Sequence, residues 1–241
     1  MTPNLLSLVF RLLVFATPVP DTFGAINNAR IEFDKGILAE QAGDLEVALK
    51  HLRQAVAMEP TWALGNLELG IVEQQRQPES PNARLRLEQA VLLAPDNPRA
   101  SYHLALSHEY IGNVNEAVKY LLETLRLKPD FRDAQFRLAT VYEKIGLNDE
   151  AIHAYEQVLL YDPKHVGALT SLSVLYERRE EYGKAEEALV LVTQMQPNVP
   201  YPIYRLGSFY ERLGAHAKAK KVFNKLNKLD PRPKRRMRQL R

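Results

Sequence analysis

Apolar residues recur along most of this chain at the three-to-four-residue spacing of a helix face, in stretches of about fourteen residues separated by tight turns. The stretches come in pairs, and the pairs repeat. A proline closes each of six copies, at Pro60, Pro95, Pro129, Pro163, Pro197 and Pro231, with steps of 35, 34, 34, 34 and 34 residues. A fixed period of this length marks an array in which each helical hairpin buries its apolar face only against its neighbours. The pattern predicts twelve helices and no strand, paired within 29–60, 61–95, 96–129, 130–163, 164–197 and 198–231.

Within each copy the apolar positions alternate small and large. The first helix has a Leu followed by a small residue at Leu69-Gly70, Leu104-Ala105, Leu138-Ala139, Leu172-Ser173 and Leu206-Gly207; the first copy has Lys35-Gly36 there. The second helix has an alanine at one site in all six copies: Ala48, Ala83, Ala117, Ala151, Ala185 and Ala219. Four residues later, on the same face, stand Leu52, Leu87, Leu121, Tyr155, Leu189 and Phe223. Small opposite large is what interdigitating helices require. The turns between paired helices hold Gly43, Gly112, Gly146 and Gly214, where a positive φ is least costly. The second copy has the longer turn RQPESP, which accounts for the 35-residue step, and the fifth puts Glu180 at the glycine's place.

The two ends differ in kind, which divides the chain into 1–28, the array at 29–233, and 234–241. Leu5–Ala16 reads LLSLVFRLLVFA, too short to span a bilayer as a helix. Three readings fit it. It has the apolar core of a secretory signal, though MTPN lacks the usual bases. As a helix it has a narrow polar stripe of Asn4, Ser7 and Arg11, which suits an interfacial membrane anchor. It also suits an apolar helix docked on the first repeat; a misplaced start codon is the remaining account. Pro18 and Pro20 end the segment, and Asp21–Asn28 is expected as a linker. The anchor and signal readings place the protein outside the cytoplasm or on a membrane, the docked-helix reading inside it.

Composition changes the picture in two ways. There are no cysteines, which excludes a disulfide framework, a thiolate zinc site and a cysteine nucleophile. The net charge of +3 hides an asymmetry: eleven of the 32 Lys/Arg and one of the 29 Asp/Glu lie after His216, so the body is net acidic and the end strongly basic. The basic run consists of Arg232, Lys234, Arg235, Arg236, Arg238 and Arg241, with Met237 and Leu240 spaced to close the array as a short helix. With no interleaved aromatics it gives no sign of base stacking, so nucleic acid is not the expected partner.

The repeat resembles the tetratricopeptide repeat (TPR). In the last copy the family pattern is met by Ile203, Leu206-Gly207, Tyr210, Gly214, Ala219, Phe223, Leu226 and Pro231, and six copies in register extend the resemblance over about 85% of the chain. What the resemblance implies is an all-α, right-handed superhelical solenoid of stacked helix-turn-helix units, with first helices lining a concave groove. Carried onto this chain, the groove positions are Phe33, Leu67, Tyr102, Phe136, Thr170 and Tyr204, then one turn on Ile37, Ile71, Leu106, Thr140, Val174 and Ser208. Aromatic and aliphatic groups in such a row suit an apolar or amphipathic peptide; the competing reading packs them between repeats. The Lys and Asn clamp by which certain members hold chaperone C-termini is absent, since Phe33 and Ile37 stand there. The asparagine ladder of the sugar-transferring members is also missing; Asp34, Glu68, His103, Arg137, Ser171 and Arg205 occupy it.

No catalytic motif appears: no phosphate loop, GxSxG or HExxH. His103 and His108 are five apart and do not share a helix face, so no metal pair is expected, nor any cofactor. The six histidines are expected at the surface or in the groove. A row of one acid per repeat, Glu40, Glu109, Glu143, Glu177 and Glu211, with Gln74 in the second, is read either as a stripe facing basic partner residues or as pairing to the bases of the next repeat. The function expected is therefore non-enzymatic: a scaffold or adaptor holding a peptide or protein in its groove, in assembly of a membrane or envelope complex, with membrane contact through residues 5–16 and self-association open. The alternative is a nucleic-acid- or anionic-surface-associated protein acting through its basic end.

Overall fold

Helical periodicity and well-placed breakers give twelve α-helices, and no strand, among the residues that the computed structural model describes, 22–229. They are α1 (Thr22–Gln41), α2 (Leu45–Met58), α3 (Ala63–Arg76), α4 (Pro81–Leu93), α5 (Pro98–Tyr110), α6 (Val114–Leu127), α7 (Arg132–Lys144), α8 (Asn148–Tyr161), α9 (Val166–Arg178), α10 (Tyr182–Met195), α11 (Pro200–Arg212) and α12 (His216–Leu229). One departure from expectation is the start of α1. Residues 22–28, expected as a linker, are helical, because the last breaking proline is Pro20 and the segment that follows contains none. Residues 5–16 and the basic run Arg232–Arg241 lie outside the described residues.

Five of the six turns from a first to a second helix close in the same way; the longer turn of the second repeat instead bonds Ser80 N to the Gln77 carbonyl at 3.0 Å. At Gly43, Gly112, Gly146 and Gly214 φ is +70 to +80°, and the following amide bonds back to the first helix, as Asp44 N does to the Ala39 carbonyl at 2.9 Å and Ala215 N to Tyr210 at 2.9 Å. This satisfies carbonyls that the helix end leaves open. In the fifth repeat Glu180 adopts φ 60° and the same bond forms, Glu181 N to the Tyr176 carbonyl at 2.9 Å. Two second helices start on side-chain caps: Asp44 accepts from Val47 N and Ser80 from Ala83 N, with Pro81 at the head of α4.

The chain divides into two compact units, Met1–Glu123 and Thr124–Arg241. In each, the two helices of a hairpin pack against each other through the small-against-large pairs. All six second-helix alanines are buried, and so are the large groups four residues on. The small residue of the first helix is a steric requirement. A Cβ on Gly36 would lie 2.7 Å from Leu52 Cγ, one on Gly70 2.9 Å from Leu87, and one on Gly207 2.7 Å from the Phe223 ring. The first unit's core gathers Phe33, Leu49, Leu52, Val56, Leu69 and Val72, and next to these Leu67, Leu87 and Leu104. The second unit's core runs from Ala139 to Leu226 through Tyr155, Leu172, Leu175, Ile203 and Phe209.

Candidate functional site

In the first unit, the row expected to line a groove lies at different depths. Phe33 is buried against the Trp62 ring, centroids 4.6 Å apart, and Leu67, Ile71 and Leu106 are buried as well. Ile37 and Tyr102 remain half-buried and reach the surface. Tyr102 stands edge-on to His103 at 5.3 Å. Around them the first helices are tied to one another by polar groups. Arg99 donates to both oxygens of Glu68, at 2.8 and 3.3 Å; Gln75 donates to Glu40 at 2.9 Å; Gln74 donates to the His103 carbonyl at 3.2 Å. Burial, helped by the Arg99 charge, pushes the His103 imidazole down to about 4.

In the second unit Phe136 stays half-buried at the head of α7, its ring 4.6 Å from the His165 ring. The first turn of α9 admits it because Gly167 has no Cβ; one would sit 3.0 Å from the Phe136 ring. His165 caps α9 by accepting from Ala168 N on Nδ1 at 3.0 Å, which leaves Nε2 to bear the proton of the neutral ring. Phe131, Phe136, Tyr161 and His165 line a cleft of about 660 Å³, with Lys128, Arg132 and three aspartates at its rim. Tyr161 is 49% exposed there. Further along, Tyr204 is buried toward Phe223, and the hydroxyls of Thr140 and Thr170 bond back to their own helices at 2.7 Å. A smaller cavity of about 170 Å³ opens between α9 and α11, lined by Glu177, Tyr201, Arg205, Ser208 and Arg212 among others.

The acidic row is largely engaged within the chain. Glu40 accepts from Gln75 and Glu143 from the Tyr155 hydroxyl at 2.8 Å; Glu177 pairs with Arg212, thirty-five residues on, and lies 4.0 Å from Arg205. Glu109 is half-buried and Glu211 exposed. Pairing to the next repeat is thus the observed arrangement at Glu177.

A contact that the sequence did not announce joins consecutive repeats. Tyr176 donates to Glu156 of the preceding second helix at 2.7 Å, and Lys184 covers the ring at 5.1 Å. One repeat later Tyr210 donates to Glu186 at 2.7 Å, while Lys218 bonds the same carboxylate at 2.7 Å and covers the ring at 5.0 Å. Burial, then the bond to Glu186, raises the Tyr210 hydroxyl to about 12; the bonds from Lys218 and Tyr210 lower Glu186. The available signal was the Tyr four residues after the Leu of the Leu-small pair. The histidines also differ from expectation: His108 is buried, stacked on Tyr120 at 5.6 Å, because its helix position faces inward. Among the described residues no three His, Asp or Glu groups come together as a metal site, and no helix is long and apolar enough to cross a membrane.

Family models described as tetratricopeptide repeat match residues 72–130, 104–152, 136–200 and 202–233. No curated protein matches the chain in sequence. Among solved structures, the chain is similar to pilF of Pseudomonas aeruginosa, with TM-score 0.71 and 18% identity over 90% of this chain and 100% of that one. It is similar to the MamA protein, with TM-score 0.63 and 23% identity over 69% of this chain and 91% of that one. It is also similar to YrrB, a TPR protein with an unusual peptide-binding site, with TM-score 0.61 and 23% identity over 73% and 93%. At these identities the likeness is one of fold.

Proposed function

The chain belongs to the tetratricopeptide repeat family, and from that premise we propose that it is a non-enzymatic scaffold whose first helices hold a segment of a protein partner. The observation that carries this reading is the aromatic cleft of the second unit. Phe136, Tyr161 and His165 keep apolar area accessible in a space of about 660 Å³, large enough for one or two side chains. A structural core would have closed over them, as it closed over Leu67 and Ile71. In the first unit Ile37 and Tyr102 offer a second, smaller contact. YrrB, of the same fold, is described by its peptide-binding site, which supports the class of ligand.

The test is a titration against the partner identified by affinity capture. Phe136→Ala and Tyr161→Ala should each weaken binding by more than about 1 kcal/mol. Phe136 also touches the Tyr155 ring at 5.7 Å, so melts must be run beside the titrations. Unchanged binding in a fully folded double variant would sink the proposal. The finer reading, assembly of a membrane or envelope complex, is supported by the apolar run 5–16. It predicts that a chain starting at Thr22 leaves the membrane fraction while keeping its melting temperature. A second reading has one observation behind it: α12 exposes Lys218, Lys220, Lys221, Lys225 and Lys228 before the basic run begins. Association with nucleic acid through this end predicts an affinity for RNA that falls linearly with the logarithm of salt concentration.

A further inference from the structure

We propose that the cavity between α9 and α11 is a carboxylate site, and that the partner segment crossing the second unit is acidic there. If the first-helix surface holds the partner, as proposed above, this is the part of it that reads charge. Five of the seven side chains that line the cavity carry hydrogen-bond donors, the other two being Val174 and Glu177. Tyr201, Tyr204 and Ser208 present hydroxyls that make no hydrogen bond among the described residues. Arg205, only 24% exposed on its side chain, likewise makes no hydrogen bond there, and meets Glu177 only at 4.0 Å. Arg212 commits one nitrogen to Glu177 and is half exposed, although a guanidinium has five N–H donors. Glu177 is the sole carboxylate lining the space, so two guanidiniums face one negative charge. Its Oε1 is buried without a hydrogen bond, so the internal pairing is incomplete on both sides.

Partly desolvated guanidiniums with uncommitted donors gain most from an anion that accepts two bonds side by side. A cavity of about 170 Å³ admits one Asp or Glu side chain, not a nucleotide. Arg137, Lys144 and Arg178 on α7 and α9 extend the same sign along the second unit's first helices. In the first unit the corresponding positions hold Asp34, Glu68 and His103, and Gln41, Gln75 and Tyr110, with no Lys or Arg among them. The preference is therefore local to the second unit. Glu177 occupies the site in place of the incoming carboxylate, and its removal should help binding rather than hinder it.

The full chain is titrated by fluorescence anisotropy with a labelled, amidated peptide that alternates Glu with Leu, with its Gln counterpart, with the Gln peptide bearing a free C-terminus, and with oligouridylate. The Glu peptide should bind about tenfold more tightly than the Gln peptide, and Arg205→Gln/Arg212→Gln should erase that difference. Glu177→Gln should tighten the Glu peptide several-fold, an effect of opposite sign that a merely destabilised chain does not give. No Glu-over-Gln preference, or a Glu177→Gln variant that binds no better, overturns the site. Equal gain from the free C-terminus alone, or equal binding of oligouridylate, overturns the side-chain assignment in favour of a terminal carboxylate or of phosphate. With the captured partner, loss of binding in Phe136→Ala but not in Arg205→Gln/Arg212→Gln keeps the groove and removes the acidic segment. Retention in both removes the groove itself.

Discussion

Single positions show where this chain departs from its own repeat. Glu180 is the one non-glycine residue with positive φ among those described, at the turn where four other repeats have glycine. The left-handed conformation costs an L-residue about 1–2 kcal/mol, part of which glycine would return as unfolded-state entropy. Glu180→Gly should therefore stabilise the chain by about 0.5–1 kcal/mol, read as a higher urea midpoint at unchanged slope; a lower midpoint would show that Glu180 makes a contact worth more than its strain. His103 sets a second expectation. Its folded value is about 4 against an ordinary 6.5, so the folded state refuses a proton that the unfolded chain accepts. Above 6.5 both states are neutral and this group adds no pH dependence. As pH falls from 6.5 toward 4, stability is lost, by an amount on the order of 2 kcal/mol. The lowering of Glu186 acts only below its ordinary 4.5, and His108 acts in the same direction as His103. The melting temperature of His103→Gln should accordingly change less than that of the parent between pH 6.5 and 4.5.

Between elements, the organising contact is a helix backbone seated against a large side chain of its partner. At Gly207 an added Cβ would stand 2.7 to 3.0 Å from three atoms of the Phe223 ring, which is itself buried. Gly207→Ala should cost about 1–3 kcal/mol, and Phe223→Leu in the same chain should return part of it, so the two changes will not add. Gly183, with nothing within 4 Å, is the control: alanine there should be neutral or stabilising. These pairs were legible because helix geometry fixes which residues share a face and because six copies repeat the choice. The glycine turns were legible for the same reason. The depth of the first-helix row was not. Spacing places Leu67 and Phe136 at the same site of their helices, yet Leu67 is buried and Phe136 borders an open cleft. The difference comes from residues elsewhere, such as Gly167 and His165, that no repeat pattern couples to Phe136. The start of α1 was not legible, because Pro18 and Pro20 mark a break in helix without marking how far it extends, and the helix runs from Thr22. The Tyr–Glu–Lys contacts were missed because Glu156 and Glu186 stand on the preceding repeat, where an exposed helix face gives no reason to single out one acid.

For the molecule as a whole, the consequence of building from hairpins is that stability is held locally. Each repeat buries its apolar face against adjacent ones, so the energetics approximate a sum of nearest-neighbour terms. The cluster around Ala151 consists of residues from Ala139 to Leu226, whereas that around Leu52 consists of residues from Phe33 to Val72. A lesion in one should be felt mainly there. Ala151 is fully buried opposite the first helix of its own repeat, and Ala151→Leu adds three carbons where packing leaves no room, at a cost of about 1–3 kcal/mol. Native-state hydrogen exchange followed by mass spectrometry reads the outcome helix by helix. Amides of α7 to α10 should lose protection by one to two orders of magnitude, the equivalent of that cost, while those of α1 to α3 keep theirs. The converse substitution, Ala48→Leu, should reverse the pattern. Equal loss over all twelve helices in either variant would mean that the chain unfolds as one cooperative body, and that a partner bound in the second unit stabilises the first as much as its own.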